Sequence, residues 1–307
     1  VITEKQKEQR RQSIGSSDAA CVLGLDPYRN LYDLWLEKTG RVEGFSGNKA
    51  TERGDYLEDG ILRWAADRLG EKVVKPSNSF TLGRLRAHVD GQVGKYGRGN
   101  PIVEAKNMVQ EGDWGREMTD EVPEHVFIQV QHQMVCAEAP HAYVARLSGG
   151  MGMSFSMYRV DPDPEIQRAI IEQSEAFWSM HIETDEPPPY EKASEGMIQY
   201  MQRIQRDGSS TRISDEHMKA YHHWKQVEAD AQGRMRYHKA RIMEDLGEHS
   251  KGEGQMFRVN MVQVSPSMKL DTKALKEAMP EVYEKFCRES SGYSYPRVSQ
   301  IKRKETS

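Results

Sequence analysis

Apolar and polar residues follow two periods along this chain, and each change of period marks an element. Leu57, Ile61, Trp64 and Leu69 recur near helical spacing and predict a helix over 50–69. Short alternating stretches come next, at 72–75, 79–81, 85–90 and 102–106, and each reads as a strand. Between the last two lies GQVGKYGRGNP, rich in glycine and closed by Pro101, which predicts a hairpin. Pro123 opens a helix to about 137, and 142–147 with 154–160 form a strand pair around Ser148-Gly149-Gly150. Pro164 opens a helix through 182. Upstream, residues 1–12 read as a polar lead-in. Ser16-Ser17-Asp18 offers N-cap chemistry to a short helix at 19–23, and Asn30 caps LYDLWLEK, which Thr39-Gly40 stops. Helices interleaved with short strands make an α/β layer pattern.

The run DEPPPY at 185–190 is the clearest boundary, because three prolines end a helix and stiffen the linker after it. It separates a domain at 13–189 from an α+β extension at 190–307. In the extension, Ile213, Tyr221, Trp224, Val227, Ala231, Met235, Ile242 and Leu246 predict one long amphipathic helix. A strand at 255–264, a helix at 272–287 and a last strand at 293–301 complete it. Tyr221, His222, His223 and Trp224 read as part of a core or oligomer stripe rather than as a metal or base-stacking site.

Composition narrows the class. The 307 residues are 37% hydrophobic and 29% charged, which is globular but polar. No stretch approaches a membrane span, and the N-terminus has no apolar signal core. Three scattered cysteines, Cys21, Cys136 and Cys287, form no metal or disulfide framework and suit a reducing cytoplasm. A net charge of −4 argues against coating nucleic acid by bulk charge. Local placement still permits a basic channel: Arg84, Arg86, His88, Lys95, Arg98 and Lys106 cluster in sequence. A second group, Lys5, Lys7, Arg10 and Arg11, reads as a solvated face.

The candidate chemistry lies in two of the predicted strands. LRAHVD ends on Asp90, and IVEAK carries Glu104 and Lys106. Side chains alternate along a strand, so Glu104 and Lys106 emerge on one face, about 7 Å apart. A paired strand brings Asp90 beside them. Two carboxylates, with the Ala105 backbone carbonyl, suit Mg²⁺, a hard ion that prefers oxygen and keeps several waters. Lys106 can orient a water, take its proton or stabilise phosphoryl charge. Glu58, beside the apolar stripe of its helix, is a further acid. In FIQVQHQMV, Gln129 and Gln133 share a helical face and Gln131 points elsewhere. Taken alone, Asp-x13-Glu-x-Lys is a weak pattern, because most Glu-x-Lys triplets are exposed ion pairs.

The order of longer phrases adds specificity. IGSSDAACVLGLDPYRNLYDLWLEKTG, RGDYLEDGI, RAHVDG, IVEAK, HVFIQVQHQM, HAYVARLSGG and FWSMHIETDEPPP together resemble the YqaJ-like viral recombinase family, relatives of phage lambda exonuclease within the PD-(D/E)XK nuclease superfamily. The resemblance runs over 13–189; beyond it, LDTKALKEAMPEVYEKF is similar to the tail extension of some phage members. It implies a nuclease core, a central mixed β-sheet flanked by helices, with Mg²⁺ or Mn²⁺ at the site. By motif match, Asp90 and Glu104 are the metal-binding acids, Lys106 the catalytic lysine and Glu58 the acid of the preceding helix. Gln131 matches the second glutamine of the family's QxQ motif.

The relatives digest one strand of duplex DNA from a 5′ end and pass the 3′ strand to an annealing protein. The resemblance therefore implies double-stranded DNA ends and a phage single-strand annealing protein as partners, a trimeric ring, and the host bacterial cytoplasm as location. A 5′-phosphate stop is expected at Ser16 and Ser17, where free N–H groups at a helix start bind anions, with His88 nearby. Arg53 departs from the lambda enzyme, which has an aromatic there, and leaves local packing or a DNA contact open. Two other readings stay open: a structure-selective endonuclease of the same superfamily, and a non-catalytic DNA-binding scaffold. An iron–sulfur nuclease needs four clustered cysteines, which this chain lacks.

Overall fold

The computed structural model describes residues 4–42, 49–108, 114–149, 153–266, 268, 270–287, 292 and 296. They divide into two units, Val1–Met201 and Gln202–Ser307. The first unit begins with a helix, α1 (Glu4–Arg11), where a lead-in was expected, and then a short strand, β1 (Ile14–Gly15). The expected helix at 19–23 is one 3-10 turn, Ser16–Asp18, followed by α2 (Ala19–Val22). α3 (Leu31–Lys38) starts at a reciprocal cap. Asn30 Oδ1 accepts from the Asp33 N–H (2.9 Å), and Asp33 Oδ2 accepts from the Asn30 N–H (3.1 Å). α4 (Lys49–Leu69) is the predicted long helix.

Five strands form the central sheet in the order β2 (Val73–Val74), β5 (Gly91–Val93), β6 (Ile102–Met108), β7 (Ala142–Gly149) and β8 (Met153–Val160). β6 and β7 run parallel and the other neighbours antiparallel, so the sheet is mixed. A second sheet sets β1 beside β4 (Leu85–Ala87) and β3 (Phe80–Leu82). The stretch 85–90 is therefore not one strand. β4 ends at Ala87 in one sheet, and β5 starts at Gly91 in the other. Asp90 sits at the crossing between them.

The alternation along β6 decides what each face of the central sheet carries. Ile102 packs with α2, α3, α5 (Glu124–Ala137) and α6 (Pro164–Phe177). Val103 packs on the opposite face with Ile61, Leu62 and Ala65 of α4. By the same period, Glu104 and Lys106 belong to the α5 face and Ala105 to the α4 face. Gly91 shows how tightly α4 is applied: a Cβ there would lie 2.6 Å from Val73 Cγ1 and 3.1 Å from Leu62 Cδ2. The hairpin after β5 is pinned by the buried Gln92, whose side chain donates to the Gly97 carbonyl (2.9 Å) and accepts from its N–H (3.0 Å).

The first unit runs past the triple proline. α7 (Glu195–Arg203) returns Met197, fully buried, to the same core as α5 and α6. Proline breaks the helix there without ending the packed unit.

His132 of α5 is fully buried, 3.2 Å through Nε2 from the Ile14 carbonyl. Burial pushes its pKa down from 6.5 to about 4. A base held neutral in the folded state contributes stability above its unfolded pKa, and that stability is lost as pH falls. We expect unfolding free energy to drop by up to about 3 kcal/mol between pH 6.5 and 4. His132→Gln should flatten the profile in denaturant titrations; a wild-type profile that is already flat there would contradict this.

The second unit contains α8 (Asp215–Leu246), a hairpin of β9 (Lys251–Glu253) and β10 (Arg258–Asn260), α9 (Thr272–Ala278) and α10 (Pro280–Phe286). The strand expected at 255–264 is the second arm of that hairpin. The helix expected at 272–287 is broken in front of Pro280. The strand expected at 293–301 lies outside the described residues.

Candidate active site

Asp90, Glu104 and Lys106 come together where β5 and β6 part. The β5–β6 register ends at Gly91 and Val103, which leaves the β5-side edge of Ala105 without a strand partner. The Ala105 N–H donates to Asp90 Oδ2 instead (2.8 Å). Within a strand, the N–H and C=O of one residue point to the same side. The Ala105 carbonyl therefore faces Asp90 as well.

Glu104 is 4% exposed. Its Oε1 accepts from Lys106 Nζ (2.8 Å) and Gln129 Nε2 (2.6 Å), and its Oε2 from Gln133 Nε2 (2.7 Å). Lys106 Nζ also donates to Gln129 Oε1 (2.8 Å). The lysine head is thereby held between a strand carboxylate and a helix amide. Gln133 ties the site to the segment that follows β4, since its Nε2 also donates to the His88 carbonyl (3.1 Å). Burial, and then the negative charge of Glu104, hold the Asp90 carboxyl well above the usual carboxylate range. The Ala105 N–H pulls it down, Glu58 raises it further and Lys106 opposes the rise. A buried carboxyl beside a second carboxylate is a place where a cation is favourable.

Two expected residues sit differently. Gln131 is fully buried but turned away: Nε2 donates to the Asp161 carbonyl (2.9 Å), and Oε1 accepts from the Asp163 N–H (2.9 Å) and Gln167 (3.0 Å). It fastens α5 to the start of α6. The motif match chose Gln131, but one hundred degrees per residue puts Gln129 and Gln133 on the face that meets β6. Glu58, on α4, pairs with Lys75 (2.7 Å) rather than with Lys106, while its charge still acts on Asp90. Among the described residues, no three His, Cys, Asp or Glu side chains converge as a metal site.

A cavity of about 800 Å³ extends from Gln129 to the Ser16–Ser17 turn, with Arg10, Arg86 and His88 on its walls. Ser16 is buried, and its Oγ has no hydrogen-bond partner; Ser17 is exposed. Burial and the charges of Arg86 and Arg10 hold the His88 pKa below its ordinary value. Arg10, of the N-terminal basic group, is exposed, as expected of a solvated face, and also lines this cavity. Arg84 and Arg98 are engaged elsewhere, with Glu183 (2.8 Å) and Glu138 (2.9 Å). Sequence reading missed Tyr28 and His125 on the cavity wall, rings 6.1 Å apart and edge to face. No periodic signal marks either of them. Cys21 and Cys136 are buried, and burial pushes both thiols up to about 12, so neither is a nucleophile.

Among the described residues, no helix is long and apolar enough to cross a membrane. The chain is 26% identical over 304 residues to the uncharacterized protein YqaJ of Bacillus subtilis (strain 168), covering 92% of this chain and 90% of that one. Among solved structures, it is similar to an alkaline exonuclease, LHK-Exo, from Laribacter hongkongensis, at 17% identity and TM-score 0.44, over 60% of this chain and 94% of that one. A phage related exonuclease from Haemophilus somnus 129PT is similar at 16% identity and TM-score 0.45, over 56% and 96%. The model of the YqaJ-like viral recombinase domain matches residues 6–140, a stretch that holds Asp90, Glu104, Lys106 and the Ser16–Ser17 turn. Residues 6–140 are therefore a YqaJ-like viral recombinase domain.

Proposed function

We propose that this chain is a metal-dependent deoxyribonuclease that digests one strand of duplex DNA from a 5′ end and leaves a 3′ tail for strand annealing. The observation that carries the reading is the set of Asp90, Glu104, Lys106, Gln129 and Gln133, of which Gln129 also lines a cavity that reaches a serine- and arginine-lined turn.

The residues fit a hard divalent cation such as Mg²⁺, or Mn²⁺ in its place. Asp90 and Glu104 supply carboxylate oxygens, and the Ala105 carbonyl faces the same side. Ions of this kind take one or two carboxylates and keep waters. Bound there, the ion would supply a Lewis acid and lower the pKa of a coordinated water. The chain's own residues do the rest. Gln129 and Gln133 hold Glu104 so that its oxygens keep one direction. Lys106 donates toward the negative charge that develops on the phosphoryl oxygens. Ser16, Ser17, Arg10, Arg86 and His88 take the terminal 5′-phosphate, which sets where along the strand the cut falls.

Linear and covalently closed duplexes of one sequence, incubated with Mg²⁺, test the reading. Linear DNA should disappear and closed circles persist. Cutting both at comparable rates would point to an endonuclease, and cutting neither to a binding scaffold. The two glutamines separate within the same assay. Gln133→Ala should lower turnover per folded molecule on the order of 10-fold to 100-fold. Gln131→Ala should cost stability, about 1–3 kcal/mol for the orphaned Asp163 N–H and Asp161 carbonyl, and leave turnover per folded molecule near wild type. The reverse pattern would return Gln131 to the site.

A further inference from the structure

Two aromatic rings on the cavity wall have no part in the chemistry assigned so far. His125 lies one turn before Gln129 on α5, so it belongs to the side of the helix that meets Lys106. Its electrostatic surroundings agree: burial and then the Lys106 charge hold its pKa below the ordinary value, with Asp26 opposing. At neutral pH it is therefore an uncharged ring. Tyr28 comes from the loop between α2 and α3. Its neighbour Arg29 donates through Nη2 to the Ser17 carbonyl (2.9 Å) and to Asp18 Oδ1 (3.1 Å), which ties that loop to the Ser16–Ser17 turn. The Tyr28 and His125 rings meet edge to face, with centroids 6.1 Å apart. The pair thus joins the Lys106–Gln129 end of the cavity to its serine turn.

Tyr28 differs from an ordinary surface tyrosine. It is 78% exposed, yet its backbone is fixed. Asp26 Oδ1 accepts from the Tyr28 N–H (2.7 Å) and the Arg29 N–H (3.1 Å), and Asp26 Oδ2 accepts from Arg29 Nε (3.3 Å). A rigid segment therefore holds a flat, solvated ring at the rim of a cavity that Arg10, Ser16, Ser17 and Arg86 also line. Little order is lost when a ligand covers a group held in this way. Cations beside an aromatic face are the combination that holds an unpaired nucleotide: the cations take the backbone and the ring takes the base. Digesting one strand of a duplex while sparing the other creates the need for it. The terminal base must leave its partner, which is costly. Stacking on an aromatic ring returns a comparable amount, roughly 5-fold to 100-fold in affinity, whatever the base.

We propose, resting on the nuclease reading above, that Tyr28, backed by His125, is the stacking platform for the unpaired base of the 5′-terminal nucleotide. The probe is a pair of 5′-phosphorylated duplexes with one unpaired nucleotide at the 5′ end, normal in one and abasic in the other. Both ends are already open, so they differ by the base alone. With no divalent metal present, the wild-type chain should bind the base-bearing end roughly 5-fold to 100-fold more tightly. Tyr28→Ala should bring that ratio close to one, His125→Ala should reduce it, and Tyr28→Phe, which keeps the ring, should preserve it. Equal wild-type affinities, or an unchanged ratio in either alanine variant, would overturn the platform. Digestion of linear duplex in Mg²⁺ by the same wild-type chain decides the nuclease reading separately. Digestion with equal affinities would leave that reading standing and remove Tyr28 from it. A base preference without digestion would sink the nuclease reading and leave an aromatic nucleotide site.

Discussion

Lys106→Ala is expected to abolish strand digestion while leaving duplex binding within a few-fold of wild type. The loss should be on the order of 10²- to 10⁴-fold in turnover, the usual range for a positioned proton-transfer or charge-stabilising group. The fold should survive, because Glu104 keeps its bonds from Gln129 (2.6 Å) and Gln133 (2.7 Å) when the lysine is gone. Lys106 is also not in the core: its side chain is 21% exposed. Lys106→Arg should fail to rescue, since a planar guanidinium cannot replace a compact head held between one carboxylate and one amide. Single-turnover digestion checks this, with duplex affinity measured in parallel. Undiminished digestion by Lys106→Ala would remove the residue from the site.

Asp18→Asn should be the most damaging single change to stability. Asp18 Oδ2 accepts from Lys38 Nζ (2.6 Å) and the Gly15 N–H (3.0 Å), and Oδ1 accepts from Arg29 Nη2 (3.1 Å). The side chains of Asp18 and Lys38 are 8% and 1% exposed. Burial alone would raise the Asp18 pKa. The Lys38 and Arg29 charges, helped by the hydrogen bonds from Lys38 and the Gly15 N–H, overcome it and hold the carboxyl far below the usual range. A carboxylate held ionised in this way contributes stability above its unfolded pKa, lost only as pH falls into strong acid. Replacing it with an amide leaves Lys38 buried without its counter-charge, which costs about 3–5 kcal/mol and lowers the melting temperature by roughly 10 °C.

The same change bears on function. Asp18 fixes the Gly15 N–H and Arg29, and Arg29 donates to the Ser17 carbonyl (2.9 Å). Loss of the pair should therefore loosen the Ser16–Ser17 turn and raise KM for duplex ends more than it lowers kcat. Replacing both partners, as Asp18→Leu with Lys38→Met, should recover much of the stability, because the buried lysine charge goes with its counter-charge and Arg29 keeps Asp26 (3.3 Å) and Glu37 (3.4 Å). A melting temperature for Asp18→Asn within a degree or two of wild type would contradict the description of this pair.

Much of this was legible in the sequence, for reasons that particular residues make plain. Sequence signals were strong where the structure they specify is local. The Asn30 cap, the α4 stripe and the glycine-rich hairpin all lie within a few residues of the elements they set. The alternation that put Glu104 and Lys106 on one face is a property of any strand. Whether a chain stays in its sheet, by contrast, is a tertiary matter. Residues 85–90 alternate like one strand, yet the chain changes sheets after Ala87, and that crossing places Asp90. The tripeptide pattern around Gln131 could not reveal which glutamines face β6. The helical period could, and it selects Gln129 and Gln133. Arg10 and Tyr28 join the cavity through folding of separate segments, which no window of sequence displays.

The central claim is that the Asp90–Glu104–Lys106 site acts on a DNA strand delivered by its 5′ end. The most direct measurement is digestion of one linear duplex in Mg²⁺, labelled at either the 5′ or the 3′ terminus, with the 5′ end phosphorylated or left as a hydroxyl. The account predicts that 5′ label is released first as a mononucleotide, faster from phosphorylated ends, while 3′ label stays on long single strands. Release of 3′ label first, or of internal fragments from both, would contradict it.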